Sequence, residues 1–192
     1  MSANTLADLS AMADAIDRAF ILLRILFQEV PVPYAVIGGF AVNVWGLERA
    51  TLDIDVMVGG RGRQFEAIIA LAEAQGLIPQ PRFLDVNPLL RGLMVRCRIE
   101  SLHVDFLRPR DRHDRNVLRR RRLGVFAGHR LWFPTPEDLI LMKIKVGRDR
   151  DFDDAMRVVE QNKATLNYRY MSRWGRKLGV MEELDYVLRV LS

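Results

Sequence analysis

Two aspartates one residue apart, Asp53 and Asp55, sit in a run from Leu52 to Val58 where Asp53, Asp55 and Met57 alternate with Leu52, Ile54, Val56 and Val58. Alternation with a period of two predicts a strand, and residues two apart on a strand project from the same face. Two unpaired carboxylates on a buried face are too costly to be ordinary core. A divalent cation between them resolves the conflict, and hard Mg²⁺, with Mn²⁺ as the alternative, prefers such oxygen ligands. A third carboxylate, Asp105, interrupts the mostly apolar run Leu102–Leu107. If that strand lies beside the first, three carboxylates converge. Such a cluster can hold two metals about 3.5–4 Å apart, as in-line phosphoryl transfer requires.

Upstream, Gly38-Gly39 separates the short apolar run Tyr34–Ile37 from a helical segment, Phe40–Trp45. Bare backbone N–H groups at a helix N-terminus can face an anion. The same dipeptide also serves as a plain strand-to-helix turn. Lys143 lies among Leu139, Ile140, Met142, Ile144 and Val146, so it must either snorkel or meet an anion.

Charge is concentrated in one place. The chain of 192 residues has a net charge of +5. Between Arg108 and Arg130, nine arginines face only Asp111 and Asp114, a local +7 that leaves −2 for the remainder. Arg119, Arg120, Arg121 and Arg122 are consecutive, so most of them are expected to face solvent. A segment of this kind fits a polyanionic partner; the alternative is a solvated arginine-rich loop. The single cysteine, Cys97, excludes an internal disulfide and a cysteine-built zinc site. It suits a reducing, cytoplasmic setting. No apolar run is long enough to span a membrane, and no leader pattern opens the chain.

These groups need a scaffold. Apolar residues at helical spacing predict a long first helix that Pro31 and Pro33 stop. Phe65–Gln75 reads as an amphipathic helix with Gly76 at its end. Leu93–Ile99 and Leu102–Leu107 read as paired strands around Glu100-Ser101, and a second hairpin is expected around Ala127-Gly128. Thr135-Pro136-Glu137-Asp138 is a helix start, with the helix ending near Gly147. Further helices are expected from Arg150 to Asn162 and, in two pieces broken at Gly179, in the tail. Residues 77–91 carry three prolines and give no clear pattern. The expected fold is α/β (α+β): a small mixed sheet with flanking helices over 1–134, and a helical part over 135–192 packed on it.

With these features together, the chain resembles the nucleotidyltransferase superfamily of DNA-polymerase-β-like fold, and within it the AbiEii/AbiGii toxin-like group. The resemblance is carried by Gly38-Gly39, Arg49-Ala50-Thr51, Asp53-Ile54-Asp55, Asp105, and the stretch from Pro136 through Lys143 to Asp154. It implies a pyrophosphate-releasing enzyme that moves a nucleoside monophosphate from an NTP to an acceptor. Asp53 and Asp55 would hold the metals and Asp105 would complete the site. Gly38, Gly39, Arg49 and Lys143 would bind the nucleotide. A toxin-like enzyme with this arginine segment points to RNA or tRNA as acceptor, with Arg119–Arg122 as its contacts and a cognate antitoxin as a partner. Nucleotidylation of a partner protein and a silent nucleotide-binding module are the alternatives. Asp151 and Asp154 are expected to pair with Arg148 or Arg150. Many members of the superfamily have Gly-Ser where this chain has Gly38-Gly39, so only backbone donors remain at that turn. A Rossmann-type dinucleotide binder is excluded, because the Gly-x-Gly-x-x-Gly spacing is absent.

Overall fold

The computed structural model describes residues 3–189. The elements run α1 (Ala3–Glu29), β1 (Tyr34–Ile37), α2 (Gly38–Trp45), β2 (Asp53–Val58), α3 (Gly62–Ala74), β3 (Ile78–Pro79) and α4 (Phe83–Val86). A single 3₁₀ turn, Pro88–Leu90, then leads to β4 (Met94–Ile99), β5 (Leu102–Leu107), α5 (Arg112–Arg120), β6 (Arg122–Phe126) and β7 (His129–Phe133). The chain continues with α6 (Pro136–Val146), α7 (Asp149–Asn162), α8 (Tyr168–Leu178) and α9 (Met181–Arg189).

The strands form a five-stranded mixed sheet in the order β1-β2-β5-β4-β3, with β6-β7 as a separate hairpin. All pairings in the larger sheet are antiparallel except β2 with β5. The alternation in β2 places Ile54, Val56 and Val58 in the main core and leaves Asp53 and Asp55 on the other face. That other face carries a smaller apolar patch of Ala35, Ile37, Met57 and Leu118. Helix α2 is anchored by Phe40, whose ring meets Phe20 of α1 edge-on at 5.2 Å and Phe126 of β6 edge-on at 5.2 Å. Edge-to-face pairs of this kind add directional packing to the burial of apolar area.

Local signals explain most element ends. Thr135 caps α6 by accepting from the Asp138 N–H, and Gly147 ends it at φ 74°. Asn167 caps α8 through the Tyr170 N–H, and Gly179 ends it at φ 70°. Two expectations shift. Gly38-Gly39 is the first turn of α2 rather than a turn before it, and α3 starts at Gly62 rather than Phe65. In both places glycine's low helix propensity hides a helix start that tertiary packing imposes.

Candidate active site

Register brings the acidic groups together. Asp55 and Asp105 are direct partners across the parallel β2–β5 ladder, and Asp53 faces His103. Across the antiparallel β5–β4 ladder, Asp105 faces Arg96. Side chains of in-register partners share a face, so Asp53, Asp55, Asp105 and Arg96 line one cleft of about 370 Å³.

Gly38 closes the floor of this cleft. Its φ is +65°, and a Cβ there would lie 2.0 Å from Asp55 Oδ2. Only glycine tolerates both the left-handed backbone and this approach. The first-turn N–H groups of α2 have no intrahelical acceptor, and no side chain caps them. At Gly39, a Cβ would meet Thr51 Oγ1 at 2.5 Å and Thr51 Cβ at 2.8 Å. The Thr51 side chain therefore fills the space that a side chain at position 39 would take. The missing serine hydroxyl has a neighbouring hydroxyl in its place, contributed from the loop before β2. The sequence places Thr51 in the Arg49-Ala50-Thr51 stretch without a role; its position two residues before Asp53 is the signal for one.

The carboxylates are not equivalent. Asp55 makes no hydrogen bond or ion pair among the described residues, and its pKa is pushed up to about 7 by burial, then by Asp105 and Asp53, against the pull of Lys143 and Arg96. Asp105 is gripped by Arg96, with Nε to Oδ1 at 2.8 Å and Nη2 to Oδ2 at 2.6 Å. Burial still holds its carboxyl above the usual range despite that guanidinium. Asp53 is half-exposed and lies 3.3 Å from His103 Nδ1. Among the described residues no three metal-ligating groups converge as a ready cation site. Asp53, Asp55 and Asp105 nonetheless face one cleft from adjacent strands, with Asp105 engaged by Arg96 beside the other two. An unpaired, uphill carboxylate at Asp55 next to Asp53 still fits a cation, because a positive charge would relieve both burial and repulsion.

The opposite wall belongs to α6 and α7. Arg49 donates to Asp154 through Nε at 2.6 Å and Nη2 at 2.8 Å. Lys143 Nζ reaches the same Asp154 at 2.7 Å and Asp151 at 3.1 Å. Asn43 holds the backbone of Arg49 with a reciprocal pair of 3.0 Å bonds, which fixes the loop that carries it. Burial alone would raise the pKa of Asp154, but hydrogen bonds from Arg49 and Lys143 outweigh it and keep the carboxyl below its ordinary range. Asp151 and Asp154 thus pair with Lys143 and Arg49, not with Arg148 or Arg150. The anion that Lys143 meets inside the protein is this aspartate pair. Arg148 and Arg150 instead line the cleft.

The four consecutive arginines are divided: Arg119 and Arg121 line one concavity and Arg120 another. The chain passes from α5 into β6 here, and the change of backbone direction fans them out. Arg119 and Arg122 are exposed. Arg120 pairs with Asp138 at 3.0 Å and covers the Tyr170 ring at 3.8 Å. Arg121 lies over Trp132 at 4.7 Å and donates to the Leu118 carbonyl at 2.6 Å. None of the four lines the carboxylate cleft. Arg119 and Arg122 are thus the exposed members of the run, while Arg120 and Arg121 are engaged within the protein.

No family model matches the sequence, and neither does any curated protein. Solved structures do. The antibiotic-resistance factor ANT(2'')-Ia is similar over 90% of this chain and 98% of its own, at 13% identity and TM-score 0.58. An antigenic nucleotidyltransferase-like protein from Paracoccidioides brasiliensis is similar over 92% and 93%, at 14% identity and TM-score 0.57. The lincosamide antibiotic adenylyltransferase LnuA is similar over 74% and 94%, at 14% identity and TM-score 0.51. The five-stranded mixed sheet with its flanking and C-terminal helices thus has a recognised architecture: the chain has the nucleotidyltransferase fold.

Proposed function

We propose that the protein transfers a nucleoside monophosphate from an NTP to an acceptor hydroxyl and releases pyrophosphate. The observation that carries this reading is the contact of Gly38 with Asp55. It sets the uncapped start of α2, which suits phosphate oxygens, directly against a carboxylate pair that calls for a cation. Asp53 and Asp55 would hold Mg²⁺, which supplies charge neutralisation on the phosphates and activates the attacking oxygen. Gly38 and Gly39 offer backbone N–H groups to the triphosphate, and the Thr51 hydroxyl lies within the same cleft. Arg49 and Lys143, each tied to Asp154, present fixed positive charge that needs no reorganisation when phosphate arrives. The acceptor oxygen forms its bond to the α-phosphorus as the bond to pyrophosphate breaks, and its proton passes to Asp105, which Arg96 orients.

The acceptor reading is RNA, tRNA included, in a toxin-like enzyme of the AbiEii kind with a cognate antitoxin as partner. Its support is the sequence resemblance together with the guanidinium groups of Arg148 and Arg150 at the cleft. ANT(2'')-Ia has been seen with adenylyl-2''-tobramycin and LnuA with lincomycin. Incubation with each α-labelled NTP, Mg²⁺, total tRNA and cell extract tests the reading. Label in RNA supports it. Label in protein alone moves the acceptor to a partner protein, and no label leaves a nucleotide-binding module.

A further inference from the structure

A second cleft, of about 520 Å³, lies at the carboxyl ends of the parallel strands β2 and β5 and shares no residue with the carboxylate cleft. Five arginines line it: Arg61, Arg108, Arg115, Arg119 and Arg121. Among the described residues that line it none is acidic, and Arg61, Arg108 and Arg115 make no ion pair. This is the reverse of Arg49, Arg96 and Arg120, each of which is tied to a carboxylate. Arg108 Nε and Arg121 Nε are buried without a hydrogen-bond partner in the protein. Buried polar atoms are nearly always satisfied, so two orphaned guanidinium donors at one cleft point to an anionic acceptor. At the junction of β2 and α3, the Gly59 N–H donates to the Pro33 carbonyl and the Arg61 N–H to Gln64 Oε1, which leaves the N–H groups of Gly60 and Gly62 toward the cleft. Gly60 has φ +100°, and the first-turn N–H groups of Gly62 and Arg63 have no intrahelical acceptor.

The basic surface does not stop there. Arg119 closes one side of this cleft, and its neighbour Arg120 lines a further concavity of about 460 Å³ with Arg169, Arg173 and Arg176. Those three are exposed and fall at helical spacing on one face of α8. A single phosphate would need only the first cleft. A band that runs from α3 across the end of α5 to α8 matches a chain of phosphates.

We propose that this band is the docking surface for the phosphodiester backbone of RNA, with the Gly59–Gly62 loop and its arginines gripping one phosphate away from the carboxylate cleft. It rests on the RNA-acceptor reading only for the fate of the bound RNA.

Anisotropy titrations of a fluorescein-labelled oligouridylate and of tRNA, without NTP, test it. Two variants keep the fold. Gly62→Asp adds a carboxylate where a Cβ has nothing closer than 4.0 Å, and an acid in the first turn favours the helix. Arg61→Gln with Arg115→Gln removes two exposed, unpaired charges. Both should leave the melting temperature unchanged or higher and weaken RNA binding roughly tenfold. The double Gln variant should also flatten the log–log salt slope by about 1.4, or 0.7 per lost contact. Affinity and slope equal to wild type in both variants would overturn the proposal. So would polyglutamate binding as tightly as RNA, or ATP binding in this cleft with no RNA binding. Wild-type protein that binds RNA in this variant-sensitive way yet labels none upholds this proposal and sinks the acceptor reading. Labelling of RNA that Gly62→Asp leaves untouched, with RNA binding also untouched, does the opposite.

Discussion

Replacing Asp55 by Asn should stabilise the metal-free protein by an amount that grows as pH rises from about 4 and is full above about pH 7. The folded state raises the Asp55 pKa from 3.8 to about 7, through burial first and then through Asp105 and Asp53. A group whose pKa is raised on folding contributes stability that is fully present below its unfolded value. That stability is lost as pH rises through the folded value. Ionised Asp55 therefore weakens the fold above about pH 7, and the shift sets an upper bound of about 4 kcal/mol. Asp55 keeps some exposure to the cleft, so water screens part of this, and about 2 kcal/mol is the working figure. Asn has the same shape without the charge. For 192 residues, each kcal/mol moves the melting temperature by roughly 2–4 °C. In EDTA at pH 8, Asp55→Asn should melt roughly 4–8 °C above wild type, and at pH 4 the two should coincide. MgCl₂ at pH 8 should raise wild type toward the variant and leave the variant where it was. The assay is differential scanning calorimetry across pH with and without chelator. If the variant melts with wild type at pH 8 in EDTA, the crowded-carboxylate account is wrong.

Three further outcomes follow from the same geometry. Asp53→Asn and Asp55→Asn should each abolish label transfer from α-labelled NTP while circular dichroism stays that of wild type; full activity in either removes the cation site from the mechanism. Gly39→Ser should destabilise the fold, because its Cβ would meet Thr51 Oγ1 at 2.5 Å and Thr51 Cβ at 2.8 Å, and Thr51→Gly in the same chain, which removes both atoms, should make the double variant less destabilised than the sum of the single losses; additive losses in the double variant would show that the two side chains do not compete for one space. Asp154→Ala should cost about 3 kcal/mol, since it strands half-buried Arg49 and leaves buried Lys143 with Asp151 alone, and a denaturant midpoint within error of wild type would contradict the network.

The acidic face was legible because a strand's period of two is strict: once Asp53 and Asp55 share a strand they share a face. Arg96 was readable too, though it was missed. With Glu100-Ser101 as the turn, residues equidistant from it pair, and Arg96 is as far before it as Asp105 is after. The bond from Arg49 to Asp154 was not readable, since it spans 105 residues and depends on how α7 packs against α2. Four consecutive arginines suggested one surface, but a helix-to-strand junction changes the direction of successive side chains. The C-terminal arginines of α8 escaped notice because helical spacing spreads them thinly along the sequence.

The parallel step from β2 to β5 has a consequence for how the chain reaches this state. Asp55 and Asp105 meet across 50 residues and the only parallel ladder of the larger sheet, not across a hairpin. Loop-closure entropy must be overcome before that pairing is rewarded, so it forms late and slowly. Its closure also drives two carboxylates together. Charge repulsion thus opposes the docking of β5 on β2, and a divalent cation or a lower pH relieves it. A cation held between these carboxylates would therefore also favour the docking of β5 on β2.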